Sequence, residues 1–537
     1  YVMPRAGRFL VADGKQNNGA KRHNSIYDST GTKAHGILSA GLMSGATSPA
    51  RPWFRLGLSD KDLMEFTPVK LWLHSVADLM REIFNKSNTY RVLHGLYEEM
   101  GAFGTASAFI LPNFKNVIHG YPCTIGEYAL ATNPEGEVDT IYREFNMTVA
   151  QIVREFVRQK DGRMDWSRAS QHVKSMWDSN NLDRWVPIVH VVEPRVDRDL
   201  KARDARNMPW ASCYYEQGRD EKSMLRDSGF RRFVALTPRW KVTGTDVYGE
   251  SPGMEALGDI KQLQHQQFRK SQAIDYMVKP PVGLPASAKN AGADLLPGGV
   301  SYFDSTTQNG KAGAIWETNL DLRSLLMDIQ DVRERIRSSF FADVFMMVAQ
   351  MDKSGVTARE IAEKHEEKLL MLGPVLERLH NELLSPLIDI TFDRVIETGI
   401  VPPPPDELRD QELSIEFISV LAQAQRAVGV QSVDRLIGTV ASIAGAKGDV
   451  SVWDKVDTDQ IVDAYSDMLG VDPQLIVGDE KVAIVRQQRV KQQAAMQQAA
   501  TLQAGAETAR TMSETDTRGE NALTDLLNQF QGYTIPA

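Results

Sequence analysis

The sequence predicts an α+β protein that is mainly helical, and three observations support this prediction. Residues 101–240 contain short runs of alternating apolar residues separated by turn formers, which is the pattern of β-strands. Residues 248–341 have the pattern of a helix, a long irregular excursion and a second helix. From Thr357 onward the chain is almost wholly helical in pattern.

Residues 1–247 combine helices with an antiparallel sheet. A hairpin turn is predicted at Asn133-Pro134-Glu135-Gly136, because proline presets one backbone dihedral and glycine supplies a positive one. The predicted helices are 32–43, 69–84, 90–100 and 148–158. The predicted strands are 106–111, 126–130, 138–145, 188–193, 210–216 and 233–240.

The central stretch begins with a predicted helix over 254–278. Lys279-Pro280-Pro281 ends this helix, because proline lacks the amide donor and clashes with the preceding turn. A Gly/Pro/Ala/Ser-rich excursion over 281–317 follows, and a second helix covers about 320–341. A connection of 37 residues inside one compact domain is uncommon and is often functional, although a helical hairpin with a long loop is the simpler interpretation.

The last third of the chain is predicted to be helical. A capping box at Thr357 opens a helix that reaches Thr398, where Gly399 ends it. Pro374 and Pro386 lie inside this helix and should kink it. Further helices are predicted at about 410–428, 431–444, 458–469 and 479–508, followed by a polar tail.

Composition narrows the class of protein. The 537 residues are 42% hydrophobic and 24% charged, which is ordinary for a soluble globular protein, and the net charge of −9 argues against wholesale electrostatic binding of nucleic acid. Cys123 and Cys213 are too few for a disulfide scaffold. The sequence contains no apolar run long enough for a membrane span. Because the chain starts at Tyr1, we expect that an N-terminal segment is missing or processed.

Motifs for catalysis are not found in the sequence. Asn309-Gly310-Lys311-Ala312 lacks the upstream glycine and the Ser/Thr of a phosphate loop, and His365-Glu366-Glu367 lacks the second histidine of a zinc protease helix. Histidines and cysteines do not cluster at metal-ligand spacing, and no Gly-x-Ser-x-Gly elbow occurs. We therefore expect no catalytic residue, no metal and no cofactor.

Two further segments have an ordinary and a functional interpretation. Basic residues gather at 195–206 and 231–239, but interleaved aspartates in the first favour a solvated, salt-bridged loop over a nucleic-acid site. Met346, Met347 and Met351 either plug a core or belong to a semi-exposed apolar loop before Gly355.

An ordered set of short stretches resembles the portal, or head-to-tail connecting, proteins of short-tailed bacteriophages (podoviruses). Each stretch is weakly specific alone, but together they follow the family order over about 500 residues, without the family's extreme N-terminal segment. The matching stretches are Trp53–Leu56, Ser87–Arg91, Gly126–Tyr128 with Gly136 and Arg143, Tyr248–Pro252, Lys279–Pro281, Thr357–Glu360 and Arg486–Arg489.

The resemblance implies a portal fold with wing, stem, clip and crown, assembled as a ring that usually has twelve subunits. The implied regions are 1–247 as the N-terminal wing, 248–280 as stem helix 1, 281–317 as the clip, 318–341 as stem helix 2, 342–356 as the tunnel loop, 357–410 as the kinked wing spine, 411–510 as the crown and 511–537 as the C-terminal tail.

The resemblance, together with the positions that lie off the apolar stripes, also yields candidate site residues. Those expected to face the stem channel are Gln262, Gln266, Arg269, Asp328, Asp331 and Arg335. Those expected in a DNA-facing tunnel loop are Asp343, Met346, Met347, Met351 and Lys353. Those expected in the clip, for ring closure and for docking of terminase and tail, are Leu284, Leu295, Leu296, Tyr302, Phe303 and Trp316.

The implied function is a non-enzymatic channel for packaging and ejection of double-stranded DNA at one capsid vertex of the virion. The implied partners are further copies of the chain, double-stranded DNA without sequence specificity, the terminase large subunit, tail adaptor proteins, the major capsid protein and scaffold, with assembly in the host cytoplasm and no membrane. The alternatives are another ring-forming head–tail adaptor, or a nucleic-acid-processing enzyme with degenerate motifs. Adaptors are usually shorter and lack the stem–clip–stem interruption.

Overall fold

The computed structural model divides the chain into two units, Tyr1–Gly470 and Val471–Ala537. The residues that it describes are 1–3, 26–60, 63–64, 66–159, 161–202, 204–218, 224–285, 296–303, 313–314, 322–346, 372–408, 413–419, 437–445, 453, 455–457, 460–461, 477 and 479–513. Among these residues, helices and small sheets alternate along the first unit, which confirms the α+β class.

Three N-terminal helices build the main hydrophobic core: α1 (Thr30–Ala46), α2 (Thr67–Lys86) and α3 (Thr89–Phe103). Pro68 lies in the first turn of α2, where its missing amide hydrogen is not needed. Gly104 ends α3 in the left-handed conformation (φ 77°), and a Cβ there would lie 2.0 Å from the carbonyl oxygen of Gly249. Only glycine therefore allows this close approach of the two backbone segments.

A two-stranded sheet ties the N-terminal part to a much later segment. Strand β1 (Phe54–Leu58) pairs antiparallel with β13 (Leu413–Phe417), so the first residues described after Leu408 form a strand. The prediction of a helix over 410–428 is wrong at this point. Leu413, Ile415 and Phe417 alternate with polar residues, and the pairing with β1 selects this period of two over the helical period.

A second small sheet, in the order β3-β2-β9, lies next to α3. Its strands are β2 (Ser107–Asn113), β3 (Val117–Cys123) and β9 (Ala235–Leu236). Strand β3 was not predicted from the sequence, because Gly120 and Pro122 are residues that strands disfavour. Pro122 is tolerated because β3 lies at the edge of the sheet. The predicted strand 233–240 is shorter than expected, with one bridge between Thr105 and Arg239 beyond it.

The largest sheet is an antiparallel meander in the order β4-β5-β6-β7-β8. Its strands are β4 (Tyr128–Thr132), β5 (Val138–Thr148), β6 (Trp185–Pro194), β7 (Trp210–Glu216) and β8 (Met224–Phe230). The turn at Asn133–Gly136 is as predicted, with Gly136 at φ 83°. Strand β8 was not predicted, because its polar residues suit only an edge strand.

Helix α4 (Val149–Ile152) and α5 (Gln171–Asp178) pack against the five-stranded sheet. Thr148 and Gln151 form a complete capping box at the start of α4, which then continues as a π-helical turn over Val153–Val157. Ser170 caps α5 by accepting a hydrogen bond from the Val173 amide at 3.2 Å. Local sequence signals thus place both helices.

The central stretch contains α6 (Pro252–Glu255), α7 (Leu257–Val278), a three-stranded sheet and α8 (Leu322–Ser339). The strands of this sheet are β10 (Val282–Pro285), β11 (Val300–Phe303) and β12 (Gly313–Ala314), in the order β11-β10-β12. Both predicted long helices are confirmed, with an added break at Ala256.

Two helices follow the undescribed residues 347–371: α9 (Gly373–Leu379) and α10 (Ser385–Thr398), joined by a π-helical turn over His380–Leu384. Pro374 and Pro386 lie in the first turns of α9 and α10, so both prolines mark the predicted interruptions. Gly399 ends α10 at φ 67°, as expected. The predicted capping box at Thr357 lies outside the described residues.

In the second unit, α11 runs over Asp479–Ser513, in agreement with the helix predicted at 479–508. Of the other helices predicted after residue 430, the structure describes helical residues at 437–445, within 431–444, and at 460–461, the start of 458–469.

Candidate functional site

The candidate site is the helical hairpin formed by α7, the connection 279–321 and α8. Ser251 caps α6, the short helix directly before the hairpin, by accepting a hydrogen bond from the Met254 amide at 2.9 Å, and it donates one to the Ala102 carbonyl at 2.8 Å. The two long helices run antiparallel: Asp259 pairs with Arg335 at 3.2 Å, and Gln266 donates to Asp328. The Ser251 cap therefore fixes the chain before the hairpin to the end of α3.

The half of the hairpin nearest the main core is well packed. Ile260 and Leu263 of α7 and Val332 and Ile336 of α8 are buried in the core with α1. Phe340, just past α8, is also buried and meets His35 of α1 edge-on at 6.1 Å between ring centroids. This half anchors the hairpin in the first unit.

A polar clasp holds α7 and α8 to the segment before α1. The Asp28 carboxylate accepts hydrogen bonds from Arg333 Nη2 at 2.7 Å, Gln267 Nε2 at 3.1 Å and the Thr30 hydroxyl at 2.5 Å. Gln264 Oε1 accepts from the Asp28 amide at 2.9 Å. Burial alone would raise the pKa of Asp28, but hydrogen bonds from Thr30 and Arg333 outweigh it, so this pKa is lowered.

The other half of the hairpin exposes apolar side chains that we call the distal patch. Each has between 37% and 75% of its surface exposed, although the same helices bury Ile260, Leu263, Val332 and Ile336 nearer the main core. The members are Phe268, Ile274, Met277, Val278, Leu326 and Met327. The ring of Tyr27 covers part of Phe268, with centroids 5.4 Å apart. An apolar cluster of this kind marks an interaction surface more often than a free one.

Between the helices, the chain forms the small sheet. Strand β10 is central and pairs parallel with β11 and antiparallel with β12, so β11 and β12 are the edges of this sheet among the described residues. Of the predicted clip residues, Leu284, Tyr302 and Phe303 lie in paired strands and Leu296 is exposed. Leu295 and Trp316 lie outside the described residues.

The six predicted channel residues all lie off the buried stripes of α7 and α8. Gln266 is half-buried and the other five are exposed. Four of them form polar contacts: Gln266 with Asp328 joins the two helices, and Arg335 pairs with Asp259 of α7 and with Asp331 of its own helix. Gln262 and Arg269 lie on the exposed surface of α7. Whether these faces line a channel stays a prediction.

The segment predicted as a loop over 342–356 begins with a helical turn over 342–346. Val344 and Phe345 are buried, and Phe345 packs so tightly on Gly41 that a Cβ there would lie 2.3 Å from the ring. Asp343 and Met346 are exposed on the same turn. The prediction of a loop is therefore wrong for these residues, because Phe345 inserts into the core. Met347, Met351 and Lys353 lie outside the described residues.

Phe341 joins α8 to this turn in a left-handed conformation, with φ at 52°. A bulky side chain rarely adopts this conformation, which costs about 1–2 kcal/mol relative to the right-handed one. Its ring lies 6.2 Å from that of Trp240, and its amide donates to the Ser338 carbonyl at 3.0 Å. The chain thus changes direction sharply where the second long helix ends.

Sequence reasoning missed the ion pair that joins the sheets to the later helices. Arg239 is buried and donates to Glu382 with Nη2 at 2.7 Å and with its own backbone amide at 2.9 Å. The same guanidinium donates to the Gly136 carbonyl at 2.9 Å. Glu382 lies in the π-helical turn between α9 and α10. In the sequence, Arg239 belongs to the basic segment 231–239, and this segment was the only feature noted there that includes a partner of the ion pair.

The basic segments behave as the ordinary interpretation predicts. Arg195 and Arg206 both pair with Asp227, at 2.7 and 3.3 Å. Arg231 pairs with Glu397 at 3.3 Å, and Arg232 pairs with Asp393 at 2.6 Å. These arginines therefore link loops to neighbouring strands and helices of the same chain.

Within the described part of the chain, Asp, Glu, His and Cys side chains form no group of three or more that could hold a metal ion. Over the same residues, every helix is too short or too polar to span a membrane. The notable features of the hairpin are the exposed apolar side chains, the small sheet and the polar helix faces.

Comparison with known proteins identifies the class. The family described as bacteriophage head to tail connecting protein matches residues 1–477. A probable portal protein of Bordetella phage BPP-1 is 54% identical over 534 residues, which are 99% of this chain and 94% of that protein. The portal protein of Salmonella phage epsilon15 is 44% identical over 529 residues, or 98% and 93% of the two chains. The chain belongs to the bacteriophage head to tail connecting protein family.

Solved structures give a distant likeness. A chain from the neck of an empty gene transfer agent particle has a TM-score of 0.36 and 11% identity, and covers 88% of this chain and 100% of its own length. A chain from the virion of a native gene transfer agent particle has a TM-score of 0.35 and 11% identity, with the same coverage.

Proposed function

We propose that the chain forms a phage portal: a closed ring of identical subunits at one capsid vertex, through which double-stranded DNA is packaged and ejected. Relatives that are 54% and 44% identical carry the name portal protein, and the family connects head to tail. The subunits would belong to the virion, at the junction of head and tail, after assembly in the host cytoplasm with the major capsid protein and scaffold.

The distal patch is the structural observation that carries this proposal. Six large apolar side chains are exposed on a pair of helices whose other half is buried. At roughly 25 cal/mol for each Å² of apolar surface removed from water, covering such a patch favours association. A repeated contact between two different surfaces of one subunit closes into a ring when the rotation fits. Neighbouring hairpins would then cover one another and form a tube.

The polar helix faces suit the inside of such a tube. Gln262, Arg269 and Asp331 are exposed and of mixed charge, and the chain as a whole carries −9. A strongly basic lining would release many counterions and hold DNA tightly. A mixed, acidic surface instead allows DNA to slide through a channel.

The small sheet at the tip of the hairpin is the proposed docking surface. Among the described residues, β11 and β12 are the edge strands of this sheet, and an edge strand can pair with a strand of a neighbouring subunit. We assign to this region both ring closure and the sequential docking of the terminase large subunit and tail adaptor proteins. The segment from Asp343 through Lys353 would approach the DNA as a constriction, the alternative being that its methionines fill the wing core.

Energy for packaging would come from the terminase, since the sequence contains no phosphate loop. The chain itself would act as a passive conduit and not as an enzyme. The polar faces of the stem helices would guide DNA. The sheet between these helices would bind first the terminase and later the tail.

The mass of the intact assembly tests the proposal. Native mass spectrometry of the purified full-length chain should show a single closed oligomer, with twelve subunits expected. Replacing Leu326 and Met327 with serine should shift the protein toward monomers, because both side chains belong to the distal patch. A control replaces Ile396 and Ile400 with serine; both are large, apolar and about half exposed but lie on and after α10. A stable monomer in the unaltered protein, or equal effects of the two double variants, would overturn the proposal.

A further inference from the structure

A single row of aromatic and basic side chains crosses all five strands of the large meander. Each member lies directly opposite the next in the strand register, so the row runs along one face of the sheet. The members are Tyr128 of β4, Arg143 of β5, His190 of β6, Tyr214 of β7 and Arg226 of β8. The row therefore contains one imidazole, two guanidinium groups that stay charged, and no carboxylate.

Apolar clusters cover the row on both sides. Side chains two positions apart on a strand share a face, so Ile188 and Val192 lie on the same face as His190. Ile188 belongs to the hydrophobic cluster that α4 and α5 cover, and Val192 belongs to a second cluster around Phe109. His190 is completely buried as a result.

The imidazole of His190 contacts two aromatic rings. It stacks on the Tyr214 ring with centroids 3.9 Å apart and an interplanar angle of 8°, and the centroid of the Phe109 ring lies 5.3 Å away. Arg143 lies over the same Phe109 ring at 4.7 Å, and Arg226 lies over the Tyr214 ring at 5.7 Å. Each ring that contacts His190 is therefore already in contact with a cation, and a further positive charge would compete for it.

One nitrogen of this imidazole has a hydrogen-bond partner among the described residues. Nε2 lies 3.0 Å from the Ser212 hydroxyl, whereas the buried Nδ1 has no partner in this part of the chain. A neutral imidazole that donates from Nε2 leaves Nδ1 without a proton, but a protonated imidazole carries a proton on both nitrogens. Protonation would thus bury a second N–H group without an acceptor, which is costly in an apolar surrounding.

The titratable groups that face the row from other elements do not supply a compensating negative charge to His190. Glu155, in the π-helical turn after α4, pairs with Arg226 at 2.8 Å and is about half exposed. Cys123 of β3 lies near Arg143, and burial raises the pKa of its thiol to about 11, so the thiol is neutral. Burial likewise raises the pKa of both phenols in the row, which are neutral too.

We infer that this row makes the meander acid-sensitive: in mildly acidic solution, protonation of His190 places a third cation between Arg143 and Arg226 and opens the contact between β6 and β7. Histidine is the side chain whose charge ordinarily changes in this range. All members of the row belong to one chain, so the inference does not depend on the proposed ring.

The direction of the pKa shift agrees with this inference. Burial lowers the pKa of His190 well below its ordinary value, and the charges of Arg143 and Arg226 lower it further. When the folded-state pKa of a histidine is lowered, its contribution to stability is fully present above the unfolded pKa. That contribution is lost as the pH falls below the unfolded pKa, because only the unfolded state then takes up the proton readily.

Hydrogen–deuterium exchange of the full-length protein tests the inference. Peptides that cover residues 186–194 and 210–216 report the opening of β6 and β7, after correction for the intrinsic pH dependence of exchange with an unstructured peptide. Their protection should fall at least tenfold from pH 7 to pH 5. The limit is about 25-fold, for a histidine that stays neutral when folded and has a pKa of about 6.5 when exposed. His190→Gln should remove most of this fall.

Two further variants complete the test. His172→Gln changes an exposed histidine of α5, which packs against the same sheet, and should keep the full fall in protection. Arg226→Gln removes one cation beside His190, so its fall should be smaller than that of the unaltered protein, and it decides the inference if His190→Gln does not fold. Glu99, whose pKa burial raises to about 7, is the same in every variant and cancels in the comparison. A fall in His190→Gln as large as in the unaltered protein, or an undiminished fall in Arg226→Gln, would overturn the inference.

Discussion

Glu99 is a buried carboxyl group that accepts a hydrogen bond from the Ile125 amide at 3.2 Å. Burial raises its pKa to about 7, and the nearby Glu127 and Glu98 add to the rise against the opposing hydrogen bonds. The folded protein therefore prefers Glu99 protonated. Its contribution to stability is fully present below the unfolded pKa of 4.5 and is lost as the pH rises through about 7.

Replacing Glu99 with glutamine should remove this pH dependence. The variant should be more stable than the unaltered protein above pH 7, by roughly 3 kcal/mol at most, because no buried charge has to form. Thermal unfolding between pH 5 and pH 8 measures the difference. The same substitution at exposed Glu135, in the turn between β4 and β5, is the control and should change little. A constant gap between the Glu99 variant and the unaltered protein across this range would contradict the prediction.

The pKa of Asp28 shifts in the direction opposite to that of Glu99. Its side chain is also largely shielded from water, but Thr30, Gln267 and Arg333 all donate hydrogen bonds to it. These partners stabilise the charged form, so the pKa moves down where that of Glu99 moves up. Hydrogen-bond donors and neighbouring charges, and not burial alone, set the direction in which the pKa of each carboxyl group shifts.

At the scale of the element, two neighbouring side chains in the turn after α8 differ in burial. Phe345 is buried against Gly41, whereas Met346 is about half exposed. Phe345→Ala should lower the free energy of unfolding by about 3–5 kcal/mol, because it opens a cavity in the main core. Met346→Ala should cost well under about 1 kcal/mol, as is usual for a surface position of this kind.

Urea unfolding of the two single variants measures this difference. If this turn also begins a DNA constriction, Met346→Ala should disturb DNA retention in filled heads without loss of stability. An equal loss of stability in both variants would show that Met346 belongs to the core and would remove it from the candidate site.

At the scale of the whole molecule, the connection between α7 and α8 contributes little to the main core. The buried cluster around α1, α2 and α3 contains no described residue from 279–321. Replacing residues 284–314 with a short Gly/Ser linker should therefore leave the thermal unfolding midpoint of the body nearly unchanged. The same change should weaken ring assembly and abolish terminase binding, because it removes the proposed docking sheet.

Native mass spectrometry and a pull-down with terminase follow the two effects separately. A truncated protein that formed rings and bound terminase normally would remove this region from the proposed function. An unfolded body would show instead that the connection takes part in the core of the first unit.

The sequence by itself determined the elements that depend on local rules. Spacing of apolar residues gave α2, α7 and α8, the turn at Asn133–Gly136 joined β4 to β5, and Pro374, Pro386 and Gly399 marked helix boundaries. The ordered short stretches gave the portal family, which the family match and both relatives confirm. These inferences succeeded because turn dihedrals and amphipathic spacing act within a few residues.

Only the tertiary structure decided the features that need distant partners. Strand β13 exists because β1 pairs with it across a long separation in sequence, and β8 is a strand because β7 lies beside it. The Asp28 clasp and the Arg239–Glu382 pair join segments that share no local signal. Phe345 was predicted to lie in a loop but is buried in the core, because Gly41 has no side chain in the space that the Phe345 ring occupies. Packing and long-range hydrogen bonds override local propensity wherever two segments that are far apart in sequence meet.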